Sequence, residues 1–248
     1  MNLVFPDLHC RLDLVRPIYE SLKDSVDKII FLGDILDNPK ETEQDTINTL
    51  KWFSELLYQD HEKKIVFIIG NHDNYPEFGL KEMFCSRNTE FRRQKWQEYM
   101  PKNRGKLCYW DGYWLYSHAG IHPDYFTTVE ALERECETSI QAAREGAMTR
   151  LFTPGWCRGG WGKNGGINWM DWDWGFRPIP GLNQILAHTS DEKPRIQTGE
   201  NSFNLCLDTQ SRHYAITDKN KIFIYDHLGK PFKFSSDVQN HIYNKHNK

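Results

Sequence analysis

The chain has 248 residues, of which 39% are hydrophobic and 26% are charged, and its formal net charge at pH 7 is -3. This length and composition exclude an intrinsically disordered chain and are sufficient for one large domain with a full hydrophobic core. The small negative charge gives no general surface for polyanions such as nucleic acids, although a local basic patch stays open.

The predicted elements of the first half alternate between strands and helices. The apolar runs "NLVF", "DKIIFLG" and "KIVFIIG" predict three buried strands. Between them, "RLDLVRPIYESL" and "TEQDTINTLKWFSELLY" carry apolar residues at helical spacing, with Pro17 inside the first. This alternation is typical of a parallel sheet built from βαβ units.

The pattern changes in the second half. "LCYW" and "YWLYSH", separated by Asp111 and Gly112, predict a hairpin, and "TVEALERECETSIQAAREG" predicts a helix that ends at Gly146. After a Gly- and Trp-rich segment, residues 155–176, four strand-like runs follow: "NQILAH", "NSFNLCLD", "HYAITD" and "KIFIYD". Because no repeat or linker interrupts the chain, we predict one α/β domain over 1–248, with a frayed C-terminal tail at about 236–248.

The sequence also indicates a cytoplasmic protein. It shows no signal peptide and no apolar run long enough to cross a bilayer. The scattered cysteines form no C-x-x-C pair, which favours free thiols in a reducing compartment. They are Cys10, Cys85, Cys108, Cys136, Cys157 and Cys206. Cys10 directly follows a histidine, and we interpret it as a bystander rather than a reactive thiol.

Metal-binding residue types follow the ends of five predicted strands. The residues are Asp7 and His9, then Asp34 and Asp37, then Asn71, His72 and Asp73, then His118, and finally His188. Ligands of parallel α/β sheets bind outside the carboxyl ends of the strands, so we expect these clusters to converge. Turn chemistry explains Asp and Asn at strand ends, but it does not explain four histidines.

Oxygen and imidazole ligands suit manganese, iron, zinc or magnesium, and the residues suffice for two ions. Asp34, on a central strand, is the candidate for a bridging carboxylate. Two adjacent metals clamp a phosphoryl group and lower the pKa of a bridging water, so phosphoester hydrolysis is the natural use of such a site.

In this order, the motifs resemble those of the calcineurin-like metallophosphoesterase superfamily. More narrowly, they are similar to the branch of Ser/Thr protein phosphatases and symmetrical diadenosine tetraphosphatases. The family pattern G-D-x-H-G, G-D-x-x-D-R-G, G-N-H-E, H-G/A-G and G-H-T reads here as "PDLHC", "GDILDNP", "GNHD", "SHAG" and "AHT". With the late "LCLDT", the resemblance spans about residues 3 to 226. It implies a four-layer α/β/β/α sandwich, in which two β-sheets pack face to face with the site at one edge.

The resemblance also implies a role for each residue. The implied ligands are Asp7, His9 and Asp34 for the first ion, and Asp34 as the bridge, Asn71, His118 and His188 for the second. His72 matches the proton donor to the leaving oxygen, and Asp37 matches the carboxylate that orients it. The implied cofactors are two divalent ions, with manganese favoured and iron, zinc or magnesium as alternatives.

Two arginines of the family pattern are absent from this sequence. Asn38 and Pro39 replace the Arg-Gly pair that grips the substrate phosphate, and Tyr75 replaces a second Arg. Arg158 lies where the family supplies another phosphate-binding Arg, and a bidentate guanidinium suits a phosphate. Arg158 and Asn71 are therefore our candidate phosphate contacts, and the alternative for Arg158 is an ordinary structural arginine.

The tryptophans of segment 155–176 have two interpretations. Large side chains can anchor a Gly-rich loop by packing, which we favour for most of them. Trp156 and Trp161 flank Arg158, and they are the exceptions that could stack on a base or an aromatic side chain of a substrate.

These patterns predict a two-metal phosphoesterase that hydrolyses phosphomonoesters, on a phosphoprotein or a small nucleotide, by attack of a metal-bridging hydroxide. The close alternative is a dinucleoside polyphosphate hydrolase. A nuclease is less favoured because a strong basic bias is missing, and a degenerate binding module is less favoured because every matched ligand is present. The predicted partner is the phosphorylated substrate, with no membrane, nucleic-acid or obligate protein partner.

Overall fold

Three parallel strands form the centre of the first β-sheet, as the alternating pattern predicts. The computed structural model describes residues 1–80 and 89–234, so Cys85 and the predicted frayed tail lie outside the described residues. The sheet has the order β11-β10-β1-β2-β3-β4. Its strands are β1 (Asn2–Phe5), β2 (Lys28–Phe31), β3 (Ile65–Ile68), β4 (Gly105–Lys106), β10 (His213–Asp218) and β11 (Lys221–Asp226). β1 to β4 run parallel, and β10 and β11 extend one side antiparallel.

The second sheet is mixed and has the order β5-β6-β7-β9-β8. Its strands are β5 (Cys108–Trp110), β6 (Trp114–Ser117), β7 (Asn183–Leu186), β8 (Arg195–Gly199) and β9 (Ser202–Cys206). β5 and β6 form the predicted hairpin, and β6, β7 and β9 run parallel to one another. The predicted two-sheet α/β class is confirmed.

Five α-helices accompany the sheets in the described residues. They are α1 (Leu12–Leu22), α2 (Glu43–Gln59), α3 (Asn74–Phe78), α4 (Thr89–Tyr99) and α5 (Val129–Arg144). α2 begins with a capping box between Thr42 and Asp45, which satisfies backbone donors at its first turn. None of the described helices is long and apolar enough to cross a membrane.

Alternating side chains of the first sheet feed two separate apolar layers. Val4 and Ile30 pack with Trp114 and Ile185 of the second sheet, so this layer holds the sheets face to face. The neighbouring residues of β1 and β2 point the other way and pack against the helices. Burial on both faces explains why β1, β2 and β3 read as unbroken apolar runs. The single-domain organisation of 1–248 stays a prediction.

Candidate active site

The predicted site residues lie together at one edge of the two sheets. Each comes from the loop after a strand: Asp7 and His9 follow β1, Asp34 and Asp37 follow β2, Asn71 and His72 follow β3, His118 follows β6, and His188 follows β7. The backbone hydrogen bonds from His9 N to Asp34 O (2.7 Å) and from Ala187 N to His118 O (2.7 Å) tie these loops to each other. The expected convergence at the carboxyl ends of the strands is therefore present.

Several site residues have a backbone conformation that residues other than glycine rarely adopt. The φ angles of His9, Asp34, Asp37 and His188 are 41°, 47°, 79° and 68°. Such left-handed conformations cost free energy and persist only where the surroundings enforce them. Strained residues of this kind are frequent at functional sites.

Asp73 enforces part of this geometry. Its Oδ2 accepts hydrogen bonds from the backbone N–H groups of Asp34 and Gly70, both at 2.9 Å, and its Oδ1 accepts one from Ile35 at 3.0 Å. Asp73 thus holds the loops after β2 and β3 together and does not belong to the candidate metal groups.

A first group of candidate metal ligands consists of Asp7, His9 and Asp34, whose ligand atoms lie within 4.8 Å of one another. Nδ1 of His9 donates to the carbonyl oxygen of Leu36 at 2.8 Å. This bond leaves Nε2 free, and Nε2 lies 3.8 Å from carboxylate oxygens of both Asp7 and Asp34. A hydrogen bond from the far ring nitrogen is the usual way in which proteins orient a metal-binding histidine.

Asp34 also belongs to a second group, with His118 and His188. Oδ1 of Asn71 lies 2.9 Å from Nε2 of His118 and 2.8 Å from Nδ1 of His188. Since Nδ1 of His118 donates to the carbonyl oxygen of Leu32, its neutral ring presents an acceptor at Nε2. Two acceptor atoms as close as Nε2 of His118 and Oδ1 of Asn71 need a proton or a cation between them. This set of ligand atoms therefore fits a divalent metal.

The electrostatics of the group support the same conclusion. Burial opposes ionisation of Asp34, but the charges of His118, His72 and His9 outweigh it and hold the pKa of Asp34 below its usual range. Burial would lower the pKa of His118, but Asp34 raises it, whereas burial and His118 lower the pKa of His188. The pKa values of the two neighbouring imidazoles are therefore shifted in opposite directions, and a divalent cation at this site would be bound by both rings in their neutral form.

His72 and Asp37 form a separate pair beside these groups. Nδ1 of His72 lies 2.5 Å from Oδ2 of Asp37, and the backbone N–H of His72 donates to Oδ1 of Asp34 at 2.9 Å. Burial lowers the pKa of His72, but the charge of Asp34 and the hydrogen bond to Asp37 outweigh it and raise the pKa to about 9. The imidazole can therefore hold a proton near neutral pH.

A cavity of about 1100 Å³ opens above the site, and both candidate phosphate contacts, Arg158 and Asn71, line it. Nη2 of Arg158 donates to Oγ1 of Thr189 at 2.8 Å, and Nε lies 2.8 Å from Oδ2 of Asp171. These contacts orient the guanidinium, whose side chain is 29% exposed. Asn38, at the position of the missing family arginine, also lines the cavity.

Comparison with known proteins decides the family. The family model described as calcineurin-like phosphoesterase matches residues 3–145, more than half of the sequence. The chain belongs to this family. The predicted superfamily and the class of metal-dependent phosphoesterase hydrolases are therefore confirmed.

Solved structures share the fold of this phosphoesterase at low sequence identity. A cold-active protein-tyrosine phosphatase of a psychrophilic Shewanella species matches with a TM-score of 0.63 and 13% identity, over 93% of this chain and 79% of that chain. A protein serine/threonine phosphatase from Saccharomyces cerevisiae, with similarity to human phosphatase PP5, matches with a TM-score of 0.50 and 12% identity, over 95% and 81%. No curated protein matches the sequence.

The tryptophans of segment 155–176 divide into two sets. Trp169 and Trp172 are buried, which agrees with a packing role, and Trp169 also lines the cavity and contacts the ring of His188 edge to face. Trp156 and Trp161 are 62% and 72% exposed, as a substrate contact would require. Trp174 is also exposed, at 68%, which the sequence pattern did not single out.

The sequence analysis missed two charged groups near the site. Arg92 of α4 forms an ion pair with Asp37, and the mostly polar sequence around it, "TEFRRQKWQ", gives no sign of its burial. Asp208 lines the cavity, and burial together with Asp208 raises the pKa of Asp7. The sequence analysis included Asp208 in the family pattern through the "LCLDT" motif but assigned it no role. Burial and Glu41 raise the pKa of the Cys10 thiol, which agrees with the interpretation of Cys10 as a bystander.

Proposed function

We propose that this phosphoesterase is a two-metal phosphomonoesterase that acts on a phosphorylated protein side chain or a small nucleotide. The observation that carries the proposal is that Asp34 belongs to both candidate metal groups at the cavity floor. A carboxylate shared by two groups of ligands is suited to bridging two cations. Asp34, Asn71 and His188 of the second metal group line the same cavity as the proton-holding His72 and Arg158.

The residues fit two divalent ions. Asp7, His9 and Asp34 would hold the first, and Asp34, Asn71, His118 and His188 would hold the second. When bound, the ions would supply Lewis acidity, which activates water and neutralises charge on the phosphoryl oxygens. The mixed oxygen and imidazole set makes manganese our expected metal, with iron, zinc or magnesium as alternatives.

The protein's own side chains have two roles in the proposed reaction. Nδ1 of His72 is engaged by Asp37, so Nε2 is the atom that donates a proton to the leaving oxygen. Arg158 and Asn71 face the same cavity and hold the phosphoryl group through the guanidinium and the amide. Trp169, which packs on His188, also lines the cavity.

The first experiment is a metal analysis. We expect about two divalent ions per chain, loss of activity on chelation, and the best recovery with manganese. Asp34→Asn should lose metal from both groups and most of the activity, whereas Cys10→Ser, a control at the same edge, should keep both. Full activity in excess chelator without bound metal would contradict the proposal, and unchanged metal content in Asp34→Asn would contradict the bridge.

The substrate class is tested with a panel of p-nitrophenyl phosphate, its bis-ester, phosphopeptides and diadenosine tetraphosphate. The proposal expects the highest kcat/KM for a monoester. Preference for the tetraphosphate would establish the alternative hydrolase, and preference for the bis-ester would establish a phosphodiesterase. The cytoplasmic location and the lack of an obligate protein partner stay predictions from the sequence.

A further inference from the structure

A buried ionic cluster lies behind His72 and is separate from the candidate metal groups. Nη1 of Arg92 lies 2.9 Å from Oδ1 of Asp37, and Nε of Arg92 lies 2.5 Å from Oε1 of Glu41. The three side chains are only 8%, 7% and 4% exposed. Buried charges of this kind need partners with good geometry, since an unpaired one is costly.

Glu41 fixes the backbone of the loop that carries Asp37. Its Oε2 accepts the backbone N–H groups of Asp37 and Asn38 at 2.9 and 2.7 Å, and its Oε1 accepts the hydroxyl of Thr46 at 3.0 Å. Asp37 is held there with a φ of 79°. The glutamate thus links the strained loop to α2, and Arg92 links both carboxylates to α4.

Two contacts of Asp37 use different oxygens of its carboxylate. Oδ1 faces the guanidinium of Arg92, and Oδ2 faces Nδ1 of His72. Fixing one oxygen fixes the plane of the carboxylate, and therefore the direction of the bond to the imidazole. Arg92 is not among the described residues that line the cavity, and its side chain is buried.

We propose that Arg92 is a positioning residue, which with Glu41 holds Asp37 so that the imidazole of His72 points at the leaving oxygen. The inference rests on the proposed function of His72 as proton donor. The chain lacks the family's phosphate-binding arginine at the position of Asn38. The role that we propose for Arg92 is positioning and not phosphate binding. Misaligning a proton donor by about 1 Å is enough to cost on the order of 100-fold in rate.

The test compares leaving groups. Arg92→Met keeps the length of the side chain and removes the guanidinium. We expect it to lower kcat by roughly 10- to 100-fold for alkyl and phenyl phosphates, which need a proton on the leaving oxygen. The loss for p-nitrophenyl phosphate should be much smaller, with KM and metal content unchanged. Arg92→Lys should recover part of the loss, because an ammonium cannot reproduce the planar contacts to two carboxylates.

Arg93, the next residue of α4, is a matched control. Its Nη1 donates to the carbonyl oxygen of Tyr75 at 2.8 Å. We expect Arg93→Met to change all substrates alike or not at all. We also expect the double variant of Arg92→Met with His72→Asn to be no slower than His72→Asn alone, because both changes remove the same step.

Three results would overturn the inference: an equal loss for all leaving groups in Arg92→Met, additive losses in the double variant, or the same selectivity in Arg93→Met. If Arg92→Met does not fold, the same comparison is made with Arg92→Lys. If the loss of kcat in His72→Asn does not depend on the leaving group, the proposed proton-donor role is wrong. The positioning role is then decided by proton NMR of the Nδ1–H of His72 in enzyme loaded with diamagnetic zinc, because manganese would broaden this signal. The signal moves or disappears in the Arg92 variants if Arg92 orients the pair and is unchanged if it does not.

Discussion

Replacing Arg158 with alanine tests how this phosphoesterase holds a phosphate without the usual arginines of its family. The guanidinium lines the cavity, with Nη2 bonded to Thr189 and Nε paired with Asp171. Nη1 and the second N–H of Nη2 therefore remain for phosphoryl oxygens. We expect Arg158→Ala to lower kcat/KM for every phosphate ester, since the contact is to the phosphate and not to the leaving group.

The structure sets the size of this effect. A hydrogen bond to a charged group contributes about 1.5–3 kcal/mol, which corresponds to roughly 10- to 150-fold in kcat/KM. Arg158 shares its charge with Asp171 and is 29% exposed, so solvent and the carboxylate screen it. We therefore expect a loss of roughly 10- to 50-fold, near the lower end of that range. Arg158→Lys should recover only part of it, because a point charge cannot form two parallel bonds.

Initial rates over a series of phosphate monoesters measure this effect, with Arg177→Ala as the control. Nη1 of Arg177 donates to the carbonyl oxygen of the neighbouring Phe176 at 2.7 Å, and Arg177 is not among the described residues that line the cavity. We expect removal of the Arg177 side chain to change kcat/KM only slightly. If Arg177→Ala is the damaging change and Arg158→Ala is silent, the assignment is wrong. If both are silent, the metals and Asn71 hold the phosphate alone.

Two further predictions concern the proton donor and the exposed indoles. His72→Asn should lower kcat by about 100- to 10,000-fold for poor leaving groups and less for p-nitrophenyl phosphate, with both metals retained; metal loss on elemental analysis would instead make His72 a ligand. Trp156→Ala and Trp161→Ala should raise KM for aryl or nucleotide phosphates by roughly 5- to 150-fold, because stacking contributes about 1–3 kcal/mol, and leave KM for alkyl phosphates unchanged. An equal change for both substrate classes would assign these side chains to folding.

The central strands and the candidate ligands could be predicted from the sequence because both depend on local patterns. β1, β2 and β3 are buried on both faces, so their apolar runs are continuous and easily recognised. A parallel sheet places the carboxyl ends of its strands at one edge, so residue types at those ends are enough to predict their convergence. The histidine at the end of β6 is one such residue, and it lies at the site although a different sheet carries it.

Elements whose stability depends on tertiary contacts could not be predicted in this way. α4 is strongly polar, and it packs through Trp96 and an arginine rather than through an apolar stripe. β8, "RIQTG", has little apolar alternation, and its pairing with β9 defines it as an edge strand. The ion pair of Arg92 with Glu41 joins residues 51 positions apart, which no local pattern reveals. Such long-range polar contacts surround the site because they hold its strained loops.

The closest approach within the site provides the last prediction. A Cβ atom at Gly70 would lie 2.1 Å from Oδ1 of Asp34 and 2.5 Å from its backbone nitrogen, so Gly70→Ala must displace the carboxylate that both metal groups share. We expect this single methyl group to remove metal from both groups, measured by elemental analysis. Gly112→Ala is the control: Gly112 has a φ of 97° in the β5–β6 turn, and an added Cβ meets nothing within 4 Å. It should cost about 1 kcal/mol of unfolding free energy from backbone strain and leave the metal content unchanged. Because Gly112→Ala lacks the clash that Gly70→Ala creates, thermal unfolding of both variants is measured as well, and metal loss from folded Gly70→Ala is the expected result. Two ions retained in Gly70→Ala would show that the position of Asp34 is not what assembles the metal centre.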